Sequence, residues 1–426
     1  MADTPDLYAD LAGEFGEIVA PDLDSRRESD LYDAFRRVLD VEEAQLGDET
    51  GPPRLSLLGR SGAGKSSLIN ALADDHLATV GAVEPTTAGT EVYDVTFVGW
   101  NTEWQLVDSR GLFESIPVDG AVPVDTVEEL AADLDDHPPD FLLHVLTPDQ
   151  VRAGDDDFAA LDRLNEAIVG GLPPRIVCLN QVDVHLPPGG AWPPDENAPL
   201  ADDIVETLRF VAEVLDVPVA GPYLDVLPFR GLLFDSERVL GAVPTYARED
   251  PYWNVETLRK LLCEYLPAEG SLTSARAQRR ERVGRRLARR HTEAIAAAVG
   301  EVSRSEVTTS NQPVVASYQR YLVALVGRFA GAEFGAGTVA DYDEAVESLA
   351  DTQSRFRTTL DRAVDYTLSP LGKSLENLQA QTYAIGRSAE AYFFDDEVVS
   401  PAQFREDALP GRITTQLDDL DLDLDL

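Results

Sequence analysis

Eight consecutive residues, Gly59-Arg60-Ser61-Gly62-Ala63-Gly64-Lys65-Ser66, fit the pattern G-x-x-x-x-G-K-[ST]. They lie between an apolar run, Leu55–Leu58, and a helical one that opens at Ser67. In that context the pattern binds phosphate, because glycines let the backbone wrap closely round anionic oxygens while successive N–H groups and the helix N-terminus face the charge. Lys65 is placed to neutralise β and γ phosphates, and Ser66 to ligate Mg²⁺ through its hydroxyl. Arg60, Ser61, Gly62, Ala63, Gly64 and Ser67 complete the cradle. A glycine-rich turn that binds nothing is the alternative, but this chain has only three lysines, Lys65, Lys260 and Lys373, and one of them stands where phosphate favours a compact ammonium.

Three further groups follow in order. The run Glu103-Trp-Gln-Leu-Val-Asp108 ends in Asp108-Ser-Arg-Gly111, where a strand-end carboxylate can hold magnesium-bound water and the Gly111 N–H can sense a γ-phosphate. Before it, Glu84-Pro-Thr86-Thr87 supplies a loop threonine, Thr87, that can ligate Mg²⁺ while a γ-phosphate is present and release it afterwards. After the apolar run Arg175–Leu179 comes Asn180-Gln181-Val-Asp183. A carboxylate at Asp183 accepts from both the N1–H and the exocyclic N2–H of guanine, a pairing adenine does not offer, while Asn180 ties its loop to the phosphate side. Each of these short patterns also occurs as an ordinary turn.

As an ordered set, Gly59–Ser66, Thr86-Thr87, Asp108–Gly111 and Asn180–Asp183 resemble the first four signature motifs of the Era-like P-loop GTPases, the type described as 50S ribosome-binding. The resemblance covers residues 51–268, about half the chain. It implies a three-layer α/β/α G domain with a mainly parallel sheet, GTP and GDP as ligands, Mg²⁺ as cofactor, and hydrolysis of GTP, with Lys65, Thr87 and Gly111 acting at the γ-phosphate. Gln181 replaces the family's lysine, whose stem covers the base. The fifth motif, Ser-Ala after a strand, is represented by Pro228-Phe-Arg230-Gly231. Leu112 stands where some GTPases carry a water-positioning glutamine, so the resemblance implies slow turnover with water oriented by backbone, an ion or a partner. Gly62 stands where potassium-activated relatives have asparagine, so potassium activation is not implied.

The elements that must position these residues follow from hydrophobic spacing. Residues 1–50 read as a helical preamble. After Gly51-Pro-Pro53, short apolar runs alternate with helical stretches, the pattern of a parallel α/β sheet. Strands are expected at 54–59, 91–99, 103–108, 141–147, 174–180 and 222–228, and helices near 65–75, 126–136, 155–170, 200–215 and 253–266. From residue 269 to 405 helical periodicity dominates, giving an all-α second domain. Thr382–Phe393 and Tyr318–Val326 are similar to the helical domain of the YcjF-type family, often membrane-associated. The tail, residues 406–426, ends in Leu417–Leu426, which alternates acid and leucine, and it reads as disordered through self-repulsion, with an edge strand or partner motif as the alternative.

Composition sets the surroundings. The 426 residues carry 77 acids against 35 bases, a formal net charge of −42. Such a chain repels itself in dilute buffer, and molar salt, with a Debye length of about 3 Å, silences most of that repulsion. This is the composition of a salt-in halophile such as a haloarchaeon. It argues against broad contact with DNA, since phosphate binding needs cations that release counterions. Cys178 and Cys263 give no disulfide framework, the N-terminus has no signal-peptide pattern, and a reducing cytoplasm fits best. The most apolar stretch, Val314–Ala336, is interrupted by Gln319, Arg320, Arg328 and Glu333 and reads as a buried or amphipathic helix.

Arg276 to Arg290 contains eight arginines and one acid, Glu281. These arginines read as internal counter-charge to the protein's own carboxylates, with a peripheral contact to anionic lipid, ribosomal RNA or an acidic partner as the alternative. The five histidines show no metal-ligand spacing. Three functions fit: a slow GTPase switch read out by the helical domain and passed to an effector protein, a nucleotide-binding scaffold with negligible turnover, and a membrane-associated dynamin-like GTPase. Nothing in the sequence sets the effector or the oligomeric state.

Overall fold

The computed structural model describes residues 51–73, 78–85, 91–97, 102–108, 137–153, 155–185, 200–221, 230–248, 252–305, 312–353 and 376–405, with isolated positions at 15, 18 and between 127 and 134. The expected preamble, the strand at 222–228 and the acidic tail lie outside the described residues, apart from Phe15 and Ile18, as do Thr86, Thr87, Gly111 and Leu112. The chain divides into two compact units, Gln45–Arg280 and Met1–Ala44 with Glu281–Leu426.

Among the described residues, the unit Gln45–Arg280 is built on nine strands: β1 (Arg54–Leu58), β2 (Ala78–Pro85), β3 (Glu91–Phe97), β4 (Thr102–Asp108), β5 (Phe141–Leu146), β6 (Arg175–Leu179), β7 (Val219–Gly221), β8 (Leu232–Phe234) and β9 (Val239–Pro244). Their order in the sheet is β2-β3-β4-β1-β5-β6-β9-β8-β7. Strands β4, β1, β5, β6 and β9 are parallel, with antiparallel strands completing each side. Helices α1 (Lys65–Leu72), α2 (Pro148–Ala153), α3 (Asp155–Ala167), α4 (Asp202–Val214) and α5 (Val255–Lys260) intervene or follow, and α5 runs on through a π-helical turn, Leu261–Tyr265.

Alternation along the central strands explains the layers. Leu55, Leu57, Leu143, Val145, Ile176 and Cys178 bury one face of the sheet with α1 and α5, through Leu68, Ile69, Leu72, Leu258 and Leu262. On the other face Leu58 and Leu142 meet Leu161 and Leu164 of α3, while Val177 and Leu179 meet Ile204, Leu208 and Val211 of α4. With both faces covered, the strands read as continuous apolar runs. Asp202 and Asp203 in the first turn of α4 suit the positive end of that helix. Val127, Leu130 and Leu134, inside the expected helix at 126–136, are helical and pack with the α3 side.

Register decides what this sheet presents. Leu57 pairs with Asp108 and Leu58 with His144, while Leu179 pairs with Pro244. The carboxyl ends of β1, β4, β6 and β9 therefore share one edge, where parallel α/β sheets bind ligands. The last parallel strand is β9, which the hydrophobic pattern did not announce, because Gly241 and Pro244 weaken its strand signal.

The second unit is helical. It contains residues 281–305 of α6 (Ser271–Ser305), then α7 (Gln312–Phe329), α8 (Ala336–Gln353) and α9 (Glu376–Asp395). The apolar stretch from Val314 forms α7, with Tyr318, Tyr321, Leu322, Leu325 and Phe329 buried. Gln319 donates to Thr382 at 3.1 Å, tying α7 to α9, and Tyr342 bonds Ser388 at 2.9 Å, tying α8 to α9. His291 of α6 packs against Phe329 with ring centroids 5.4 Å apart. Among the described residues no helix is long and apolar enough to cross a membrane.

The arginine strip lies on α6 and meets the protein's own acceptors. Within the first unit, Arg276 donates to the Gly51 carbonyl and Arg279 pairs with the fully buried Asp140 at 3.0 Å. Within the helical unit, Arg285 pairs with Glu281 and Asp395 and its guanidinium lies over the Phe394 ring, while Arg289 pairs with Glu390. Arg282 and Arg286 are buried. These contacts match the counter-charge reading of the strip.

Candidate functional site

The loop from Gly59 to Gly64 joins β1 to α1 at the carboxyl edge of the sheet. Its path requires glycine at two points. A Cβ on Gly59 would stand 2.3 Å from the Val145 carbonyl oxygen. Gly64, the residue before α1, holds φ 90°, and a Cβ there would meet the Asn180 amide at 2.4 Å. Ala63 N–H closes the turn onto the Arg60 carbonyl at 3.2 Å. Lys65 is buried at the start of α1, and its ammonium folds back on the loop, 2.8 Å from the Gly59 carbonyl and 3.5 Å from that of Arg60.

Two side chains beyond the loop converge on it. Asp108 ends β4 in the buried core of the sheet, and Ser66 donates its hydroxyl to Asp108 Oδ2 at 3.3 Å. A hydroxyl and a carboxylate at this spacing form an oxygen donor pair of the hard type that Mg²⁺ prefers, so the residues present fit that ion. Asn180, fully buried after β6, donates from Nδ2 to the Ala63 carbonyl at 2.9 Å, and Gln181 donates to the Gly62 carbonyl at 2.7 Å.

Behind Asn180 stands a pair that sequence reasoning missed. Thr245, the first residue after β9, donates to Asn180 Oδ1 at 3.3 Å and lies 3.1 Å from Cys178 Sγ. With the threonine proton directed to Asn180, the Cys178 thiol is the donor to Thr245. Burial pushes that thiol up to about 12, so it keeps its proton. A buried relay thus runs from β6 through the end of β9 to the phosphate loop.

A cleft of about 460 Å³ opens over these groups, a volume suited to a small-molecule ligand. It is lined by Arg60, Gly62, Gly64, Lys65, Ser66 and Ser67, by Asn180 and Gln181, and by Arg248. Three of these described lining residues are cations and none is a carboxylate, in a chain whose acids outnumber its bases two to one. The cleft is built for an anion.

The other expected site residues fall as follows. Ser61 is exposed at the loop apex and Ala63 is buried beneath it. Asp183 is exposed in a short 3-10 turn, Val182–His185, three residues after Asn180. Arg230 does not line the cleft. Its carbonyl accepts from Asn254 Nδ2 at 2.8 Å, a side chain that also holds the Pro244 carbonyl. The loop that follows the last parallel strand is instead Thr245 to Arg248, and Arg248 occupies the cleft wall. Its signal was the strand Val239–Pro244 itself, whose end brings residues 245–248 to the carboxyl edge of the sheet.

A family model described as 50S ribosome-binding GTPase matches residues 54–181. The chain is 41% identical over 68 residues to GTPase Der of Synechococcus sp. (strain CC9902), an alignment covering 16% of this chain and 14% of that protein. It is 37% identical over 83 residues to GTPase Der of Parasynechococcus marenigrum (strain WH8102), covering 20% of this chain and 18% of that protein. The chain therefore spans less than a fifth of the length of these curated relatives. Among solved structures, the G domain of the T. maritima FeoB iron transporter is similar at 16% identity, covering 50% of this chain and 99% of that chain with a TM-score of 0.29. The matched segment contains the phosphate loop, Asp108 and Asn180, and it supports a P-loop GTPase G domain in this part of the chain.

Proposed function

We propose that this chain binds guanine nucleotide and hydrolyses GTP slowly to GDP and phosphate, as an Era-like conformational switch read out by its helical domain. The observation that carries the reading is the cationic cleft over the glycine loop, lined by Lys65 and by Ser66, whose hydroxyl meets Asp108.

On this reading the Lys65 ammonium exchanges the Gly59 and Arg60 carbonyls for β and γ phosphate oxygens, where it stabilises the charge that develops as the terminal bond breaks. Ser66 and Asp108 would hold Mg²⁺, with Thr87 as a further ligand. When bound, the ion neutralises charge shared by the β and γ phosphates. Asp183 selects guanine by accepting its N1–H and N2–H, Asn180 secures that turn to the phosphate loop, and Arg248 adds a cation to the cleft lining. Gly111 couples loss of the γ-phosphate to the loop that follows it. The nucleotide domain extends over residues 51–268 and the helical domain over 269–405, which conveys the nucleotide state to an effector protein. The chain works in the salt-rich cytoplasm of a halophile.

Phosphate release from the purified chain with GTP and Mg²⁺ in high KCl, compared with Lys65→Ala, tests the mechanism. Release in the parent chain that falls to background in the variant supports it. Equal release from both rejects it.

A further inference from the structure

Phe15 and Ile18 are helical, and each is 2% exposed. Spaced three apart, they lie on one helix face. A short helix gains little stability alone in water, so two apolar side chains this deeply buried need a host. The host is the helical unit. The Phe15 ring meets Tyr321 of α7 edge to face with centroids 5.9 Å apart, and Tyr321 meets Phe334 in the same way at 6.3 Å. Residues Met1–Ala44 belong to the same compact unit as Glu281–Leu426, so that unit draws on both ends of the chain and reaches beyond residues 269–405.

The sheet unit, Gln45–Arg280, meets the condition this sets. A domain inserted into another must bring its own two ends together. Gly51, near the start of the unit, accepts through its carbonyl from Arg276, near the end. A second tie runs through Asp140, which accepts from the Arg54 N–H at 2.8 Å and from Arg279 at 3.0 Å. Both ties join the approach to β1 with the first turns of α6, so the chain leaves this unit close to where it entered.

We infer that the sheet unit is an insertion within one helical domain, and that the amino-terminal segment carrying Phe15 and Ile18 is a strap that closes this domain against α7. The helical domain then holds the sheet unit by two covalent connections, the strap and α6. For the switch proposed above, these are two inputs to one readout. The inference itself rests on packing and holds whatever ligand fills the cleft.

Hydrogen exchange read by mass spectrometry, on the full chain in molar KCl, tests it with Phe15→Ala and Phe15→Leu. Peptides from α7 and α9 should exchange at least about tenfold faster in Phe15→Ala, because a large side chain leaves the core of that unit alone. Peptides from β1, β5 and β6 should keep the parent rates. Phe15→Leu, which retains much of the apolar volume, should show a smaller loss confined to the same helices, and it decides the matter if Phe15→Ala does not fold. Unchanged exchange in α7, or an equal loss in α7, β5 and β6, would overturn the inference. A dimer, seen by light scattering, that falls apart in Phe15→Ala would also overturn it, by making the host of the strap a second copy of the chain.

Discussion

Thr245 holds Asn180 Oδ1 at 3.3 Å, and this bond decides which way the Asn180 carboxamide faces. With its oxygen committed to Thr245, the amide must present Nδ2 to the Ala63 carbonyl, 2.9 Å away. The shape of the phosphate loop is thereby set from the end of β9, 182 positions along the chain from Ala63.

Replacing Thr245 by valine keeps the shape and removes the hydroxyl. The Asn180 amide then loses its orienting donor, at a cost of about 1 kcal/mol, or roughly fivefold in affinity for nucleotide. Thr245→Ser should bind as the parent does. Equilibrium binding of a fluorescent guanine nucleotide to the three proteins checks this, and full affinity in the valine variant would contradict the relay.

Acid should weaken both units through buried histidines. His144 is pushed down to about 3 by burial, with Arg175 adding to the effect. His291 is pushed down to about 4 by burial, against the bond to the Leu287 carbonyl that favours its charged form, with Arg290 lowering it further. Both folded values lie below the ordinary histidine value of 6.5. Their contribution to stability is therefore fully present above 6.5 and is lost as pH falls toward 3 or 4. Between pH 7.5 and 5.5 each histidine should remove about 1.4 kcal/mol, a window that lies above the ordinary titration of the surface carboxylates. Urea midpoints in molar KCl at the two pH values measure the loss, and His144→Leu should flatten the dependence of the unit Gln45–Arg280.

Asp140 is fully buried before β5, where Oδ2 accepts from the Arg54 N–H at 2.8 Å and from Arg279 at 3.0 Å. Burial lowers the Arg279 guanidinium below its ordinary value, and the Asp140 carboxylate offsets only part of that. Asp140→Asn keeps the size but removes the carboxylate charge from beside a buried guanidinium, which should cost about 3 to 5 kcal/mol. A urea midpoint unchanged from the parent would show that the pair carries no stability.

Dilution should unfold the chain. With a net charge of −42, self-repulsion grows as salt is removed. Circular dichroism melts should give a lower Tm in dilute buffer than in molar KCl. A higher Tm in dilute buffer would refute the halophilic reading.

The parts of the molecule that were legible in the sequence are those whose information is local. The loop Gly59–Ser66 announces itself because one short stretch supplies the glycines, the ammonium and the hydroxyl. The central strands could be read from apolar runs covered on both faces. Thr245 and Arg248 could not, because their position depends on β9 pairing with β6, and Gly241 and Pro244 hide that strand. The arginine strip was visible as charge, but its partners Glu390 and Asp395 lie 101 and 110 positions from Arg289 and Arg285, so only the fold could pair them. Asp108 and Ser66, 42 positions apart, meet because β1 and β4 are neighbours in register.

The most direct measurement is isothermal titration of the full chain with GTP and Mg²⁺ in molar KCl, beside Lys65→Ala. The account predicts saturable heat for the parent chain and binding at least about tenfold weaker in the variant, the expected cost of removing a charge-assisted phosphate contact. Absence of heat in the parent chain, or equal affinity in both proteins, would contradict it.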